Sequence, residues 1–466
     1  MKKILIIGGS GTWSGQAYIP SIKQAKSDVI LVGILDPINP YYSSKTISHF
    51  DYLTEHNVKW IKSKRDCDEE LVKRCITEYE VDIVIISTPP RFHYDYTLVS
   101  LKCGVDVICD KPIIATPAQS SSINIALANI EKHHKLIQAI RESHNLKEPR
   151  RCFVLTPLRR KLQETYTNIY DSVQLIKESF GQSVTNISIS HNDGVFRFDD
   201  EVELKCGSHG YSDGFGKLTH TGYHILDIVA GLIEFGCDTQ NVQCVCKIVN
   251  CNTVDDMLKS NSNRINAKLL HSNLKTEDVS KVALETEMDI TISYTLYHND
   301  EKFCNIIVDL IHCGKSNRTQ SHYDFNNYND QGRTNELTMH IQQGSLFSSQ
   351  LMLSTMSGSG GAIGNGYTFK NYHPMVATRL NQEPAQVLNF KDQSAETTID
   401  FISDFYRLIC DGKLHGYYLY VDFLKQIITD ELYISALIAK TISEGEYKWN
   451  LGEIQITDKE NLYGKN

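Results

Sequence analysis

Hydrophobic positions in the first 150 residues gather into short runs separated by stretches of helical spacing. Residues 3–7, 29–35, 81–87 and 105–109 are dominated by Ile, Val and Leu without polar alternation, the pattern of strands covered on both faces. Between them, residues 13–26, 43–57 and 68–80, and a stretch closing at 98–103, read as helices. Strand alternating with helix predicts a doubly wound parallel sheet of the Rossmann kind. Ile123, Ala126, Ile130, Ile137 and Ile140 then recur at helical spacing, which predicts a long helix over 120–145. Residues 147–151, Lys-Glu-Pro-Arg-Arg, read as the way out of this first domain, 1–150.

The remainder, 151–466, has a different rhythm. A helix is predicted over 163–180, followed by strands at 185–191, 242–249, 285–297 and 303–313, with closing helices within 397–443. Strands in succession flanked by helices predict an α+β domain on an open, mainly antiparallel sheet. Two polar stretches, 252–280 and 315–333, read as insertions with little to bury. The Gly/Ser-rich stretch 357–366 reads as a mobile loop, because no helical pattern opens after it.

Composition narrows the class. At roughly 100 to 200 residues per domain, 466 residues imply two or three domains. Hydrophobic residues at 41% and charged residues at 22% are the balance of a soluble folded chain. The net charge of −9 argues against a nucleic-acid partner. No apolar run reaches the roughly 20 residues that span a bilayer, so no membrane partner is expected. The apolar start breaks at Gly8-Gly9 and reads as a buried strand instead of a leader. Thirteen cysteines, an odd number without repeated spacing, suit reduced thiols in a cytoplasm. Cys244 and Cys246 share a strand face and read as packed thiols, with no metal expected.

The first strand runs into Gly8-Gly9-Ser10-Gly11-Thr12-Trp13-Ser14-Gly15. Such a turn lets backbone approach a pyrophosphate, whose charge then rests on N–H groups at the helix start. The spacing departs from Gly-x-Gly-x-x-Gly by one residue, since Ser14 precedes Gly15. Asp36 ends the second strand, where a carboxylate accepts from a ribose diol and repels a 2′-phosphate. Gly9, Ser10, Gly11, Thr12, Trp13 and Asp36 are therefore expected to hold a dinucleotide, NAD in preference to NADP.

Two later segments carry a resemblance. Residues 81–93, Val-Asp-Ile-Val-Ile-Ile-Ser-Thr-Pro-Pro-Arg-Phe-His, with 103–112, Cys-Gly-Val-Asp-Val-Ile-Cys-Asp-Lys-Pro, resemble the signature of the glucose-fructose oxidoreductase and inositol dehydrogenase family, Gfo/Idh/MocA. Residues 214–227, Gly-Phe-Gly-Lys-Leu-Thr-His-Thr-Gly-Tyr-His-Ile-Leu-Asp, are similar to the family's Gly-rich turn and Asp-x-x-x-His helix start. The resemblance implies a Rossmann domain and a second α/β domain whose open sheet often makes a homo-oligomer, a dimer or tetramer. It places Lys111 and His224 at the cleft between domains, and Thr88, Pro89, His93 and Asp110 near the cofactor. Two departures stand out: Glu-Lys-Pro of the family is Asp110-Lys111-Pro112, and the family's Asp is His220.

Oxidising an alcohol carbon requires a group that takes the hydroxyl proton at a pKa near working pH. Lys111 and His224 are the candidates, His224 as proton carrier and Lys111 sharing the substrate oxygen, with His220 coupled to His224. Thr88 and Pro89 follow a parallel strand at its carboxyl end, where ligands bind in open α/β sheets. Arg159 or Arg160, Arg197, Lys217 and Tyr223 are candidates for a polyhydroxylated substrate. The expected activity is NAD-dependent oxidoreduction of a secondary alcohol or ketone of a sugar, cyclitol or related metabolite. A glycosidase working by transient oxidation, and a cofactor-binding regulator without turnover, remain as alternatives.

Overall fold

The computed structural model describes residues 1–64, 66–144, 154–158, 164–192, 202–203, 210–262, 274–312, 333–358, 361–393, 399–400, 402–403, 406, 417–442 and 446–451. Strands β1 (Lys2–Ile7), β2 (Val29–Asp36), β3 (Lys59–Lys62), β4 (Ile83–Ile86), β5 (Asp106–Cys109) and β6 (Val154–Leu155) form one parallel sheet. Its order is β3-β2-β1-β4-β5-β6, which reverses direction between β1 and β4. Helices α1 (Ile19–Gln24), α2 (Phe50–Glu55), α3 (Glu69–Glu78), α4 (His93–Lys102) and α5 (Ile123–His144) belong to this layer. The central strands bury every residue of β4 and β5, which is why their sequences show no polar alternation. In α3 the Asp68 carboxylate accepts from Leu71 N–H, and Val72, Cys75 and Ile76 form the buried stripe.

The second sheet has nine strands: β7 (Asn186–Asn192), β8 (Val242–Thr253), β9 (Glu287–His298), β10 (Glu301–Ile311), β11 (Arg333–Gln343), β12 (Phe347–Gly358), β13 (Gly361–Tyr372), β14 (Ala385–Gln393) and β15 (Glu446–Leu451). The order is β14-β13-β12-β11-β7-β10-β9-β8-β15, antiparallel except for the β7–β10 pair. Helices α6 (Glu164–Phe180) and α7 (Tyr223–Gly236) cover one face, with α8 (Val254–Ser262), α9 (Lys281–Leu284) and α10 (Pro374–Leu380) at its margins. The last helix, α11 (Tyr417–Thr441), packs on α7 and β8 and also on α5 and β6, tying the two layers together.

Several details differ from the expectations. The first sheet takes in Val154–Leu155 and so runs past residue 150. The edge strand β3 was invisible in the pattern because its four residues begin and end in exposed lysines. Within 43–57, only Ile47–His49 and Phe50–Glu55 are helical. Ser43 and Thr46 donate their hydroxyls to the carbonyls of Ser10 and Pro40, which holds the preceding segment as a loop. Within the stretch 357–366, residues 357–358 and 361–366 are not loop: they pair as the ends of β12 and β13, Gly358 opposite Gly361, so ladder bonding overrides glycine's weak strand preference. The polar stretch 252–280 is not wholly a surface insertion either, because α8 buries Val254, Met257 and Leu258 against Tyr211 and Met288. Residues 147–151 and most of 315–333 lie outside the described residues. Cys244 and Cys246 are both buried on β8. Among the described residues, no helix is long and apolar enough to cross a membrane.

Candidate active site

The carboxyl ends of the central strands are level. Gly8 N–H donates to Leu35 O, Ser87 N–H to Ile7 O and Asp110 N–H to Ile86 O. This register gathers the Gly8–Gly11 turn, Asp36, Thr88–Pro89 and Asp110–Lys111 on one edge, at the point where the strand order reverses.

The turn explains its own irregular spacing. After Gly11 the chain enters a wider turn, Ser14–Tyr18, in which Ile19 N–H reaches back five residues to Ser14 O. One extra residue is thereby absorbed, and Gly15 takes the close-packing position. A Cβ on Gly15 would lie 2.0 Å from Lys45 O, and one on Gly8, at φ +83°, would lie 2.4 Å from Ser87 O. Gly11 is different: a Cβ there would come no nearer than 3.6 Å to any neighbour. The fold does not demand that glycine, so the bare backbone is left open to a ligand. Thr88 Oγ1 at the same edge is buried without a hydrogen-bond partner among the described residues. Asp36 is buried, accepting from Ser10 N–H at 2.9 Å and Ile38 N–H at 2.7 Å. Each carboxylate oxygen keeps a second lone pair. An open glycine, an orphan hydroxyl and a fixed carboxylate on one edge fit a dinucleotide.

Other expected cofactor residues face inward. Asp110 accepts from Tyr18 Oη at 2.6 Å and Ser87 Oγ at 3.3 Å, and burial pushes its carboxyl up to about 6. It fastens the wide turn before α1 to the end of β5. His93 is buried between two carbonyls, Nδ1 at 2.7 Å from Pro112 O and Nε2 at 2.7 Å from Thr88 O. It pins the two loops that carry Thr88 and Lys111 instead of facing the open edge. Burial pushes its imidazole down from 6.5 to about 4, so the neutral ring donates to one carbonyl only.

His93 yields a pH prediction. The unfolded chain protonates this ring near pH 6.5 and the folded chain only near 4, so between these values the unfolded state holds more protons. Stability therefore falls as pH falls through this window, by about 3 kcal/mol. In urea unfolding at the two ends of the window, wild type should lose about that much more than His93→Gln. Parallel losses would refute the assignment.

Lys111 leaves β5 toward the second domain, and its Nζ donates to the backbone carbonyl of His220 at 2.5 Å. His220 lies in another wide turn, Leu218–Gly222, which leads into α7 with half-buried His224 as its second residue. The start of this turn is held by Glu287, whose buried carboxylate accepts from Leu218 N–H at 3.1 Å and from Ser120 Oγ of the first domain. Gln119, also buried, donates to Thr219 Oγ1 at 3.1 Å and to Tyr433 Oη. The structure thus brings Lys111 and the His220–His224 turn together across the domain boundary.

The ring of His220 has partners that the sequence did not suggest. Tyr211 stacks on it at 5.6 Å and 25°, and His312 meets it edge-on at 5.6 Å. His312 carried no signal of its own within the strand predicted over 303–313. Lys217 is fully buried behind the turn, donating to Thr221 Oγ1 at 2.7 Å with His191 Nδ1 at 3.4 Å. Tyr223 points into the core, donating to Asp430 at 2.5 Å and accepting from Gln426. Neither side chain faces an open surface: Lys217 lies against β7 and Tyr223 against α11. Arg159, Arg160 and Arg197 lie outside the described residues.

Comparison with known proteins adds independent findings. Residues 2–139 match the model of an oxidoreductase family with an NAD-binding Rossmann fold, Gfo/Idh/MocA. The chain is 30% identical over 117 residues to scyllo-inositol 2-dehydrogenase (NADP(+)) IolW of Bacillus subtilis, covering 22% of this chain and 31% of that protein. It is 46% identical over 39 residues to D-glucoside 3-dehydrogenase of Escherichia coli, 8% of this chain and 11% of that one. It thus spans less than a third of either curated relative. Among solved structures, an oxidoreductase domain protein from Kribbella flavida aligns at TM-score 0.53 and 10% identity, covering 97% of this chain and 99% of that one. Myo-inositol 2-dehydrogenase from Lactobacillus plantarum aligns at 0.50 and 12%, covering 97% and 99%. At such identities the likeness is one of fold.

Proposed function

We propose, from the chain's membership through residues 2–139 in the Gfo/Idh/MocA oxidoreductase family, that it is an NAD-dependent dehydrogenase of a sugar, cyclitol or related polyhydroxylated metabolite. The observation that carries this reading is the Lys111 ammonium held against the His220 turn at the sheet edge that also bears the open glycine turn. Gly9–Trp13, Asp36, Thr88 and Pro89 would hold the cofactor, which supplies the hydride acceptor. Lys111 donates a hydrogen bond to the substrate hydroxyl oxygen and fixes it. His224 takes the hydroxyl proton as the carbon is oxidised and returns it in the reverse direction. The buried Glu287 and Gln119 contacts keep the two domains in one alignment, so little reorganisation is needed once substrate is bound.

Asp36 supports NAD over NADP: both oxygens are fixed by backbone N–H groups, and a 2′-phosphate brought beside it would meet like charge. Calorimetric titration should find NAD(H) bound more tightly, with Asp36→Ser narrowing the gap. NADP(H) bound about tenfold tighter, a 1.4 kcal/mol preference, would sink this. The second sheet exposes Met352, Tyr367 and Val387, which supports a homo-oligomer through that sheet. Light scattering that reads a monomer at working concentration would refute it.

A further inference from the structure

We propose that Tyr211 and His312 are positioning residues for Lys111, acting through His220, whose ring they grip and whose backbone carbonyl takes the lysine ammonium. The inference rests on the reading of Lys111 as the residue that fixes the substrate oxygen. Where the resembled family has a carboxylate at 220, this chain has an imidazole, and the main-chain carbonyl of that residue takes the Lys111 ammonium. A carbonyl can orient an ammonium only if the turn bearing it is fixed. The wide turn Leu218–Gly222 departs from regular helix, so its carbonyls are not fixed by helix geometry alone.

The fixing comes from the ring. Tyr211 covers one face of His220 nearly parallel, and His312 closes the edge at 62°. The two gripping residues are themselves joined, the Tyr211 hydroxyl to His312 Nδ1. His312 is tied through its backbone N–H to Asp289 Oδ1 at 2.7 Å. Tyr211 is fully buried in the apolar cluster with Val254, Met257 and Met288, and its carbonyl accepts from Gly214 N–H at 2.8 Å. A rigid apolar cluster therefore holds Tyr211, Tyr211 and His312 hold the His220 ring, and His220 O holds Lys111 Nζ. Lysine has a flexible four-carbon stem, and an acid/base or orienting group displaced by about 1 Å loses much of its effect.

The test uses the NAD-saturated full chain. Competitive acetylation with peptide mass analysis reads the exposure of Lys111 without any substrate, so it reports even if no sugar or cyclitol is turned over and the proposed activity fails. Tyr211→Leu removes the stacked face, and Tyr211→Phe keeps it and loses only the hydroxyl. In Tyr211→Leu the acetylation rate of Lys111 relative to surface lysines should rise severalfold, and kcat on an accepted substrate should fall about tenfold with the NAD dissociation constant unchanged. Tyr211→Phe should recover most of both. His312→Leu against His312→Asn, which keeps an acceptor for the tyrosine, gives a second pair should Tyr211→Leu not fold. Wild-type labelling of Lys111 in both leucine variants overturns the proposal, as does an equal fall in kcat for Tyr211→Leu and Tyr211→Phe.

Discussion

Replacing Lys111 by Ala lowers turnover by about 10²-fold or more and leaves NAD affinity within a few-fold of wild type, and His224→Ala does the same. Lys111 sits where β5 ends, on the same edge as the glycine turn but pointing to the second domain through its contact with His220 O. Its ammonium is held by the second domain's carbonyl, so its loss should spare cofactor binding. His224 stands on α7 beyond the turn that Glu287 caps, and its loss should leave that cap intact. Steady-state kinetics paired with NAD titration separates the cases. Wild-type turnover in both variants would mean that the proton carriers are misassigned. Collapse of NAD binding in Lys111→Ala would make the lysine a cofactor-holding residue.

Asp227→Leu costs about 3–5 kcal/mol of folding stability, the range for removing one partner of a buried ion pair. Asp227 Oδ2 and Lys425 Nζ are 3.1 Å apart and both side chains are only 2% exposed. The pair joins α7 to α11, with the ammonium also 5.4 Å over the Tyr170 ring. Without the carboxylate the ammonium stays buried and loses its counter-charge. The double variant Asp227→Leu/Lys425→Met should recover most of the loss, because matched apolar groups need no compensation. Urea unfolding midpoints check both, and a single variant within about 1 kcal/mol of wild type would contradict the account. The consequence for function is indirect. α11 is also the helix that presents Tyr433 to Gln119 and Thr219 beside the active turn.

Much of this architecture was legible because it follows from periodicity. Apolar runs without alternation marked β1, β2, β4 and β5, and the Ile/Ala spacing marked α5. What escaped was set by tertiary contact. β3 is four residues long and becomes a strand only by pairing with Gly33–Asp36. The glycine-rich 361–366 carries no strand signal and is held by its neighbours β12 and β14. At the site, Lys111, His220 and His224 were readable from motif order, and the Lys111–His220 contact joins the first two. The His220 ring is met by rings from two distant segments. Tyr211 and His312 are 101 residues apart, and no local pattern links them. His93 and Asp110 illustrate the converse: their motif placed them near the cofactor, and burial turned them into fasteners of the loops that line it.

The central claim, oxidation of a carbinol carbon at this edge with NAD as acceptor, is tested most directly by isotope transfer. A panel of cyclitols and aldoses deuterated at their carbinol carbons is incubated with the chain and NAD, and the recovered nicotinamide is weighed by mass spectrometry. The account predicts that at least one member yields reduced nicotinamide carrying the deuterium, and that Lys111→Ala abolishes the transfer. Saturable NAD binding with no label in the nicotinamide from any member of the panel would contradict it.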